Sequence, residues 1–464
     1  MEDLARSAID RAERLGAEFA DIRVESLRGT GILVMDSKTK ALTSLHEAGC
    51  GVRVFVGGAW GFSTTNSLNA RSVAQAAVSA ARMANVAKSR AKISFRVEPG
   101  RAVRASDEYR CKEPPSEVRV DEKMEYVLGL DRSMKENDKR ISSTSSRFDD
   151  MEVQRVIANS FGTLVRSTER WAVASCAAWA KDDGIVQLGH ESYGNVGGFE
   201  IMRTEQALSI GEQAASQAVR LLDSKPASAG KFTCVFDNKL AGMMAHEAFG
   251  HACEADGILA GASVLEGKLG KEVADESVSM YDDPTIRNTF GYFSFDWEGV
   301  KAKKHVLIEK GELKGFLHNL ESSSRMGVTP NGSARSQAFN SPPIIRMSNT
   351  YFAAGKWKRD ELLQDVKHGL LIKGSHYGHV EPAKGQFTFK CDEAYEIAKG
   401  EVGQRYRDAS VSGLILEVLK NVEGMADDFK LGDPGYCGKS GQSARTTDGG
   451  PHMRVSNMVV GGLA

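Results

Sequence analysis

Helical stripes of apolar residues alternate with short strand-like runs along the first half of the chain. Near the N-terminus, Leu4, Ile9 and Ala12 recur at a spacing typical of an amphipathic helix. Further helices are predicted over residues 71–87, 118–135 and 205–222, and strands over residues 19–27, 31–35, 51–62 and 164–180. A hairpin is predicted from residues 141–148 to residues 153–157, turning at Asp149 and Asp150. This alternation predicts an α+β fold with mainly antiparallel or mixed sheets flanked by helices.

A polar stretch at residues 223–230 has the composition of a linker. After it, a short apolar strand is predicted over residues 232–236, with Asp237 or Asn238 as the N-cap of the helix that follows. Later strands are predicted over residues 311–319, 386–391 and 453–460, between long polar, glycine-rich connections. The sequence therefore predicts two domains, residues 1–225 and residues 226–464.

Two histidines flank a glutamate on the helix predicted after the linker. Residues 246–251 read His-Glu-Ala-Phe-Gly-His. Imidazoles are common zinc ligands, and a carboxylate beside the metal can act as general base in hydrolysis. In the common zinc-peptidase motif the histidines are four residues apart and share one helical face, but here they are five apart.

That extra residue constrains the backbone. On a regular α-helix, five residues rotate the second imidazole by about 140° from the first, so both cannot bind one ion. A π-type turn would return them to a common face, and a helix that stops near Gly250 would free His251. We therefore predict a π-type turn or a helix break between His246 and His251, involving Phe249 or Gly250.

The third metal ligand is left open by residue type and spacing. A catalytic zinc usually has three protein ligands and one open position. The candidates are Cys253, Glu254, Asp256, His376, His379 and Cys437. His376 and His379, three residues apart on an extended segment, would point to opposite faces. Spacing alone does not rank Glu254 above Cys437, because Glu254 could equally be an exposed carboxylate or a hydrogen-bond partner of a ligand.

Composition excludes several function classes. The chain has 464 residues and a net charge of −1, which gives no global electrostatic case for binding nucleic acid or an acidic membrane. No apolar run approaches the roughly 18 residues needed to span a bilayer, and the N-terminus lacks a signal-like stretch. The 7 cysteines are scattered without close pairs, which favours a reducing, cytoplasmic setting over a disulfide framework.

Five segments of the second half carry a resemblance to a known family. One is the His-Glu run followed by Glu254 and Asp256, and another is residues 437–442, Cys-Gly-Lys-Ser-Gly-Gln. The others lie at residues 296–299, 346–351 and 459–462. Together, these segments resemble the TldD/PmbA family of zinc peptidases. At residues 378–380 the chain reads Gly-His-Val where relatives are expected to have Gly-Gln-Val, so the family's substrate preference does not transfer at that loop.

The resemblance implies a site and an activity. His246, His251 and Cys437 would bind Zn²⁺, and Glu247 would be the catalytic base; other divalent transition metals accept similar ligands. The implied protein is a metallopeptidase that hydrolyses short or unfolded peptides, including leader peptides, by a metal-activated water. The family pairs a metal-bearing subunit with a related subunit that lacks the motif. We therefore expect a homodimer, or a heterodimer with such a paralogue.

Two other function classes fit the same residues. The first is a non-catalytic scaffold or protein-binding subunit with a structural metal site. Such a site would be closed by a fourth protein ligand, namely His376, His379 or Glu254. The second is a thiol hydrolase in which Cys437 acts with a histidine as a nucleophile without metal. The number of protein ligands on the metal distinguishes the first class from a metallopeptidase, and the response of the activity to a metal chelator distinguishes the second.

Overall fold

Long paired strands form one sheet in the N-terminal part of the computed structural model, which describes residues 1–91, 93 and 95–462. The strands are β1 (Phe19–Met35), β2 (Lys38–Val56), β3 (Ala59–Thr65), β4 (Arg104–Glu108), β5 (Ile141–Asn159), β6 (Leu164–Asp182) and β7 (Ile185–Val196). Their order is β3-β2-β1-β5-β6-β4, and β7 also pairs with β6. Every pairing is antiparallel except that of β4 with β6.

Two pairs of helices cover this sheet. They are α1 (Glu2–Arg14), α2 (Ala70–Lys88), α3 (Val120–Asn137) and α4 (Glu205–Leu222). The alanine-rich face of α2 packs on β1 and β2, and α3 and α4 pack on β5 and β6. Close approach depends on glycine in the strands, because a Cβ on Gly61 would lie 2.0 Å from the Ala80 carbonyl oxygen. The predicted helices are confirmed, α4 with the predicted bounds.

The predicted hairpin at Asp149 and Asp150 is wrong, because β5 runs without interruption through both residues. Asp150 is buried in the strand, where its carboxylate accepts a hydrogen bond from the Thr30 backbone N–H at 2.9 Å. The Lys123 ammonium lies 2.6 Å from the same carboxylate. Because these partners compensate the buried carboxylate, Asp150 can lie within a strand, although aspartate in a sequence is typical of a turn. The strands predicted over residues 19–27 and 31–35 are likewise one continuous strand, β1, with no break at residues 28–30.

The C-terminal part is built from many shorter strands and small helices. The strands are β8 (Lys225–Pro226), β9 (Gly230–Phe236), β10 (Met280–Asp282), β11 (His305–Glu309), β12 (Glu312–Leu313), β13 (Ala334–Arg335), β14 (Ile344–Ile345), β15 (Asn349–Phe352), β16 (His368–Glu381), β17 (Gln386–Ala398), β18 (Glu401–Arg407), β19 (Ser410–Leu414), β20 (Val422–Met425), β21 (Lys430–Lys439), β22 (Gln442–Gly450) and β23 (Met453–Gly461). The helices are α5 (Asn238–Met243), α6 (Ala255–Leu259), α7 (Leu320–Met326), α8 (Glu361–Gln364) and α9 (Ile415–Lys420). The strand predicted over residues 311–319 is reduced to β12, since the chain leaves the sheet after Leu313.

Five of these strands close on themselves. The pairing runs β16-β9-β23-β19-β17 and returns from β17 to β16, so we call this set the closed ring of strands. A second sheet, in the order β12-β11-β10-β15-β22-β21, lies in the same part of the chain. Both are mixed, with parallel pairs such as β9 with β16 and β15 with β22. The α+β class with antiparallel and mixed sheets is confirmed.

The two parts of the chain meet through buried ion pairs. Arg53 on β2 lies between Asp21 on β1 and Glu298 of the C-terminal part, 2.7 Å from the latter. Arg445 on β22 reaches Glu169 on β6 at 2.9 Å. The domain boundary near residue 225 stays a prediction; within the described chain, no strand after it pairs with the first sheet. None of the described helices is long and apolar enough to cross a membrane.

Candidate metal centre

A side-chain cap fixes the N-terminus of the helix that carries the motif. Strand β9 leads directly into α5, and Asp237 is its N-cap, as predicted. The Asp237 carboxylate accepts hydrogen bonds from the backbone N–H of Leu240 at 2.9 Å and from that of Gly374 on β16 at 3.0 Å. The cap therefore ties the first turn of the helix to the closed ring of strands.

The helix changes its hydrogen-bond register directly after α5. Residues Met244–Gly250 form a π-helix, and His251–Cys253 form a 3₁₀ turn. The backbone N–H of His251 donates to the carbonyl of His246, which is the i→i−5 bond of a π turn. The predicted π-type turn is confirmed. It brings the two imidazoles together, with ring centroids 5.4 Å apart.

Gly250 supplies space to this turn rather than an unusual backbone conformation. Its φ of −59° and ψ of −46° are ordinary helical values. A Cβ at this position would lie 2.1 Å from the Met347 sulfur and 3.1 Å from the Ala245 carbonyl oxygen. The turn therefore packs against Met347 more closely than any other residue would permit.

Cys437 joins the two histidines from a distant hairpin formed by β21 and β22. Its sulfur lies 3.2 Å from His251 Nε2. One donor atom from each of His246, His251 and Cys437 lies within 4.8 Å of the other two. The buried Arg346 guanidinium donates to the carbonyls of Cys437 and Gln442, at opposite sides of the hairpin turn. The three side chains converge as predicted, and their role as metal ligands stays a prediction.

The three side chains form an ion-paired cluster in which the thiol favours its charged thiolate form and the imidazoles favour their protonated form. Burial raises the pKa of the Cys437 thiol, but the two imidazoles outweigh burial and lower it to about 5. Burial lowers the pKa of His246, and the Cys437 thiolate reverses this and raises it to about 9. The pKa of His251 is raised well above its ordinary value because Glu254 and Cys437 outweigh its burial. A bound metal ion would displace the imidazole protons, and thiolate sulfur and neutral imidazole nitrogen are donor types that zinc prefers.

The residues present fit a zinc ion. Two imidazoles and one thiolate converge, and three protein ligands with one open position are typical of catalytic zinc. His246 Nδ1 is buried without a hydrogen-bond partner in the described part of the chain, so coordination there breaks no existing bond. Cys253, another candidate from the sequence, is buried in the hydrophobic core instead.

Glu254 holds His251 and does not join the three donors. Its Oε2 lies 3.0 Å from His251 Nδ1, which favours the tautomer that leaves Nε2 facing Cys437. Lys439 lies 3.1 Å from the same oxygen and 2.7 Å from Asp256. Since Glu254 is only 3% exposed, its interpretation as an exposed helix-end carboxylate is wrong.

Glu247 lies at the wall of an open cavity of about 540 Å³ that also exposes His251. Its Oε2 is 3.7 Å from His251 Nε2, and 29% of its side chain is accessible. His379 lines the same cavity. His376 points elsewhere, toward Asp392.

Sequence reasoning missed one carboxylate beside the cluster. Asp448 on β22 is half-buried, and desolvation raises its pKa to about 7 although His246 lowers it. Nothing in its local sequence, Thr-Thr-Asp-Gly-Gly, distinguishes it from a loop residue. The tertiary fold brings it beside α5, where a Cβ on Gly242 would lie 2.6 Å from the Asp448 Oδ1.

The fold and site together define an α+β protein with a candidate His-His-Cys metal centre on a π turn. The chain belongs to the PmbA/TldD family. Three family models match it in order: PmbA/TldA metallopeptidase domain 1 over residues 20–84, the central domain over residues 113–222, and the C-terminal domain over residues 229–462.

Relatives and one solved structure cover nearly the whole chain. The chain is 40% identical over 447 residues to a protein named metalloprotease from Methanothermobacter thermautotrophicus, with 96% of each chain covered. It is 25% identical over 460 residues to a zinc metalloprotease TldD homolog from Saccharolobus solfataricus, covering 98% of this chain and 99% of the relative. Its fold matches TldE from Thermococcus kodakarensis with a TM-score of 0.76 at 19% identity, covering 98% of this chain and 99% of that one.

Replacing Gly250 with alanine should destabilise the π turn. The added methyl group collides with Met347, and overpacking of this kind costs about 1–3 kcal/mol of unfolding free energy. Gly129→Ala is the matched control, because that helical glycine has nothing within 4 Å and alanine should stabilise it by roughly 0.5–1 kcal/mol. Urea denaturation of both variants measures the difference. Equal stability of the two would show that Gly250 is not required for space.

Glu254→Gln should weaken zinc binding without removing a donor atom. Loss of the carboxylate that orients a ligating imidazole typically costs about 10–100-fold in metal affinity. Competition against a chromophoric chelator measures this affinity, with the exposed Glu276→Gln as control. An unchanged affinity would mean that Glu254 does not orient His251 for a metal.

Proposed function

We propose that this chain is the metal-bearing subunit of a zinc-dependent peptidase that hydrolyses short or unfolded peptides. The observation that carries the proposal is the convergence of His246, His251 and Cys437 beside an open cavity that also exposes Glu247. Three donors leave one position free for chemistry. The name of the Saccharolobus relative supports zinc as the metal.

Each side chain at the site has a part in the proposed hydrolysis. When bound, a zinc ion would supply an activated water and polarise the scissile carbonyl. Glu247 is placed to take a proton from that water and to return it to the leaving amine nitrogen. Glu254 keeps the His251 ring in one tautomer and orientation.

An unpaired strand edge beside the cavity supports a peptide as substrate. Strand β21 is the outermost strand of its sheet, and its residues Gly438 and Lys439 line the cavity. A Cβ on Gly438 would meet nothing within 4 Å, so the backbone there is open to a second chain. An extended peptide could pair its main chain with such an edge regardless of side-chain sequence. Main-chain pairing requires a substrate segment that is short or unfolded.

A second subunit is part of the proposal. The fold likeness to TldE from Thermococcus kodakarensis supports pairing with a related chain that lacks the motif, and a homodimer is the other arrangement expected. Leader-peptide processing, a cytoplasmic setting and the absence of nucleic-acid binding stay predictions. Gel filtration with and without such a paralogue distinguishes the two assemblies.

The surroundings of the candidate fourth ligands argue against a non-catalytic scaffold with a structural metal site. A structural site would need a fourth protein ligand, and none of the three candidates joins the centre's group of donor atoms that lie within 4.8 Å of one another. Glu254 binds His251 and Lys439, His379 lines the cavity, and His376 binds Asp392. This arrangement supports an open metal position over a closed one.

A thiol hydrolase is the second candidate, and one contact favours it. The Cys437 sulfur lies 3.2 Å from His251 Nε2, the arrangement of a thiol activated by a neighbouring base. The contact of the sulfur with a second imidazole, His246, favours metal ligation instead, since a nucleophile needs only one base.

Glu247→Gln should retain the metal and lose hydrolysis. The amide preserves the shape of the side chain but cannot accept the proton, and loss of general-base catalysis typically lowers kcat by about 10²–10⁴-fold. Zinc content by mass spectrometry and cleavage of a fluorogenic unfolded peptide measure the two properties. Glu276→Gln is the exposed control. Full activity in the metal-loaded Glu247 variant would place the base at another residue.

Removal of the metal should abolish peptide cleavage, and added Zn²⁺ should restore it. Hydrolysis by a thiol nucleophile would persist after chelation, because Cys437 and His251 remain in contact without an ion. The comparison uses the same peptide before chelation, after dialysis against a chelator, and after zinc addition. Alkylation of Cys437 does not discriminate, since both mechanisms need its sulfur.

A further inference from the structure

A second cluster of donor side chains lies between the first sheet and the closed ring of strands. It consists of His190 on β7, His376 on β16 and Asp392 on β17. We propose that this cluster is a second metal site, distinct from the His246 centre, that binds a divalent transition metal such as Zn²⁺ and joins the two parts of the chain. The site is independent of the proposed peptidase activity.

The donors are already close together. His376 Nδ1 lies 2.8 Å from Asp392 Oδ1, and His190 Nδ1 lies 3.8 Å from the same oxygen. One donor atom from each residue lies within 4.8 Å of the others, the same convergence seen for His246, His251 and Cys437. Two imidazoles and a carboxylate form a donor set that suits zinc and neighbouring transition metals.

Backbone features fix each donor. Gly374 has a φ of +58°, and a Cβ there would lie 2.1 Å from Asp392 Oδ2, so glycine permits the carboxylate to occupy its position. The register of β16 shifts between Ser375 and Tyr377, and such an irregularity re-aims the residue between them, His376. The backbone N–H of His190 donates to Gln217 of α4 at 2.8 Å. Ligands held in this way lose little freedom on binding.

The surrounding charge favours a cation. Lys239 is near the cluster, but its ammonium already contacts Glu191 at 2.8 Å and Asp433 at 3.0 Å. Around the cluster, negative charge is in excess, because five carboxylates (Glu191, Glu212, Asp237, Asp392 and Glu393) lie with three cationic side chains (Arg220, Lys239 and Lys373). Asp392 also lines a cavity of about 410 Å³ that opens to solvent, which gives an ion a route to the site.

The position of the cluster suggests what a bound metal would do. His190 belongs to the sheet of the N-terminal part, whereas His376 and Asp392 belong to adjacent strands of the closed ring. A metal held by all three would cross-link the parts and stabilise their arrangement, because the ligands come together only in the folded chain. The same strand β16 reaches the open cavity three residues later, at His379.

Cobalt spectroscopy distinguishes the two sites directly. We would replace the first centre's donors in a triple variant, His246→Asn, His251→Asn and Cys437→Ser, and titrate the full-length metal-free protein with Co²⁺. The second cluster has no thiolate, so we expect visible d–d absorption with one Co²⁺ per chain and no sulfur-to-cobalt charge-transfer band. The wild-type protein should bind two Co²⁺ and show that band.

A second set of variants tests the named residues. In the triple-variant background, adding His190→Asn and His376→Asn should abolish the remaining d–d absorption. Adding only Asp392→Asn to the triple variant removes a proposed donor. It should therefore weaken Co²⁺ binding by more than about 10–100-fold, which is the loss typical of removing a hydrogen-bond partner of a ligand. Far-ultraviolet circular dichroism checks folding of each variant. Absence of any Co²⁺ absorption in a folded triple variant would overturn the proposal, as would absorption that survives the added histidine changes.

Discussion

The hydrogen bond from the His251 backbone N–H to the His246 carbonyl is the constraint on which the candidate centre depends. With a regular i→i−4 ladder, the two imidazoles would diverge and Cys437 would meet at most one of them. The π register is rare and needs its surroundings to hold it. Here the Asp237 cap fixes the start of the helix, and close packing of Gly250 on Met347 fixes the end of the turn.

The remaining donors are set by segments that share no local sequence with the motif. Arg346 holds both sides of the β21–β22 turn and so positions Cys437. Lys439, two residues beyond Cys437, binds Glu254, which in turn orients His251. The hairpin therefore contributes the thiolate and also stabilises the carboxylate behind one imidazole. Displacement of this hairpin would disturb both interactions together, which makes the centre cooperative.

Features with a local physical cause could be predicted from the sequence. Helical periodicity located α4 to the residue, and the five-residue spacing of the histidines required the π turn that is present. The same reasoning failed where a residue's position depends on contacts with residues that are distant in sequence. Asp150 has the sequence character of a turn but is buried beside Lys123. Cys437 was one of several open candidates until the family resemblance singled it out, and no local signal marked His190, Asp392 or Asp448.

The closed ring of strands has a consequence for the order in which the chain acquires its structure. Strand β23 lies between β9 and β19, so the ring beneath the motif helix lacks a member until Met453–Gly461 has been synthesised. A nascent chain carries His246 and His251 long before it carries Cys437 or that strand, and non-local strand pairing forms late in folding. The centre can therefore form only once Cys437 and β23 have been synthesised, and a nascent chain that ends before them holds its two imidazoles without the scaffold that makes them a site.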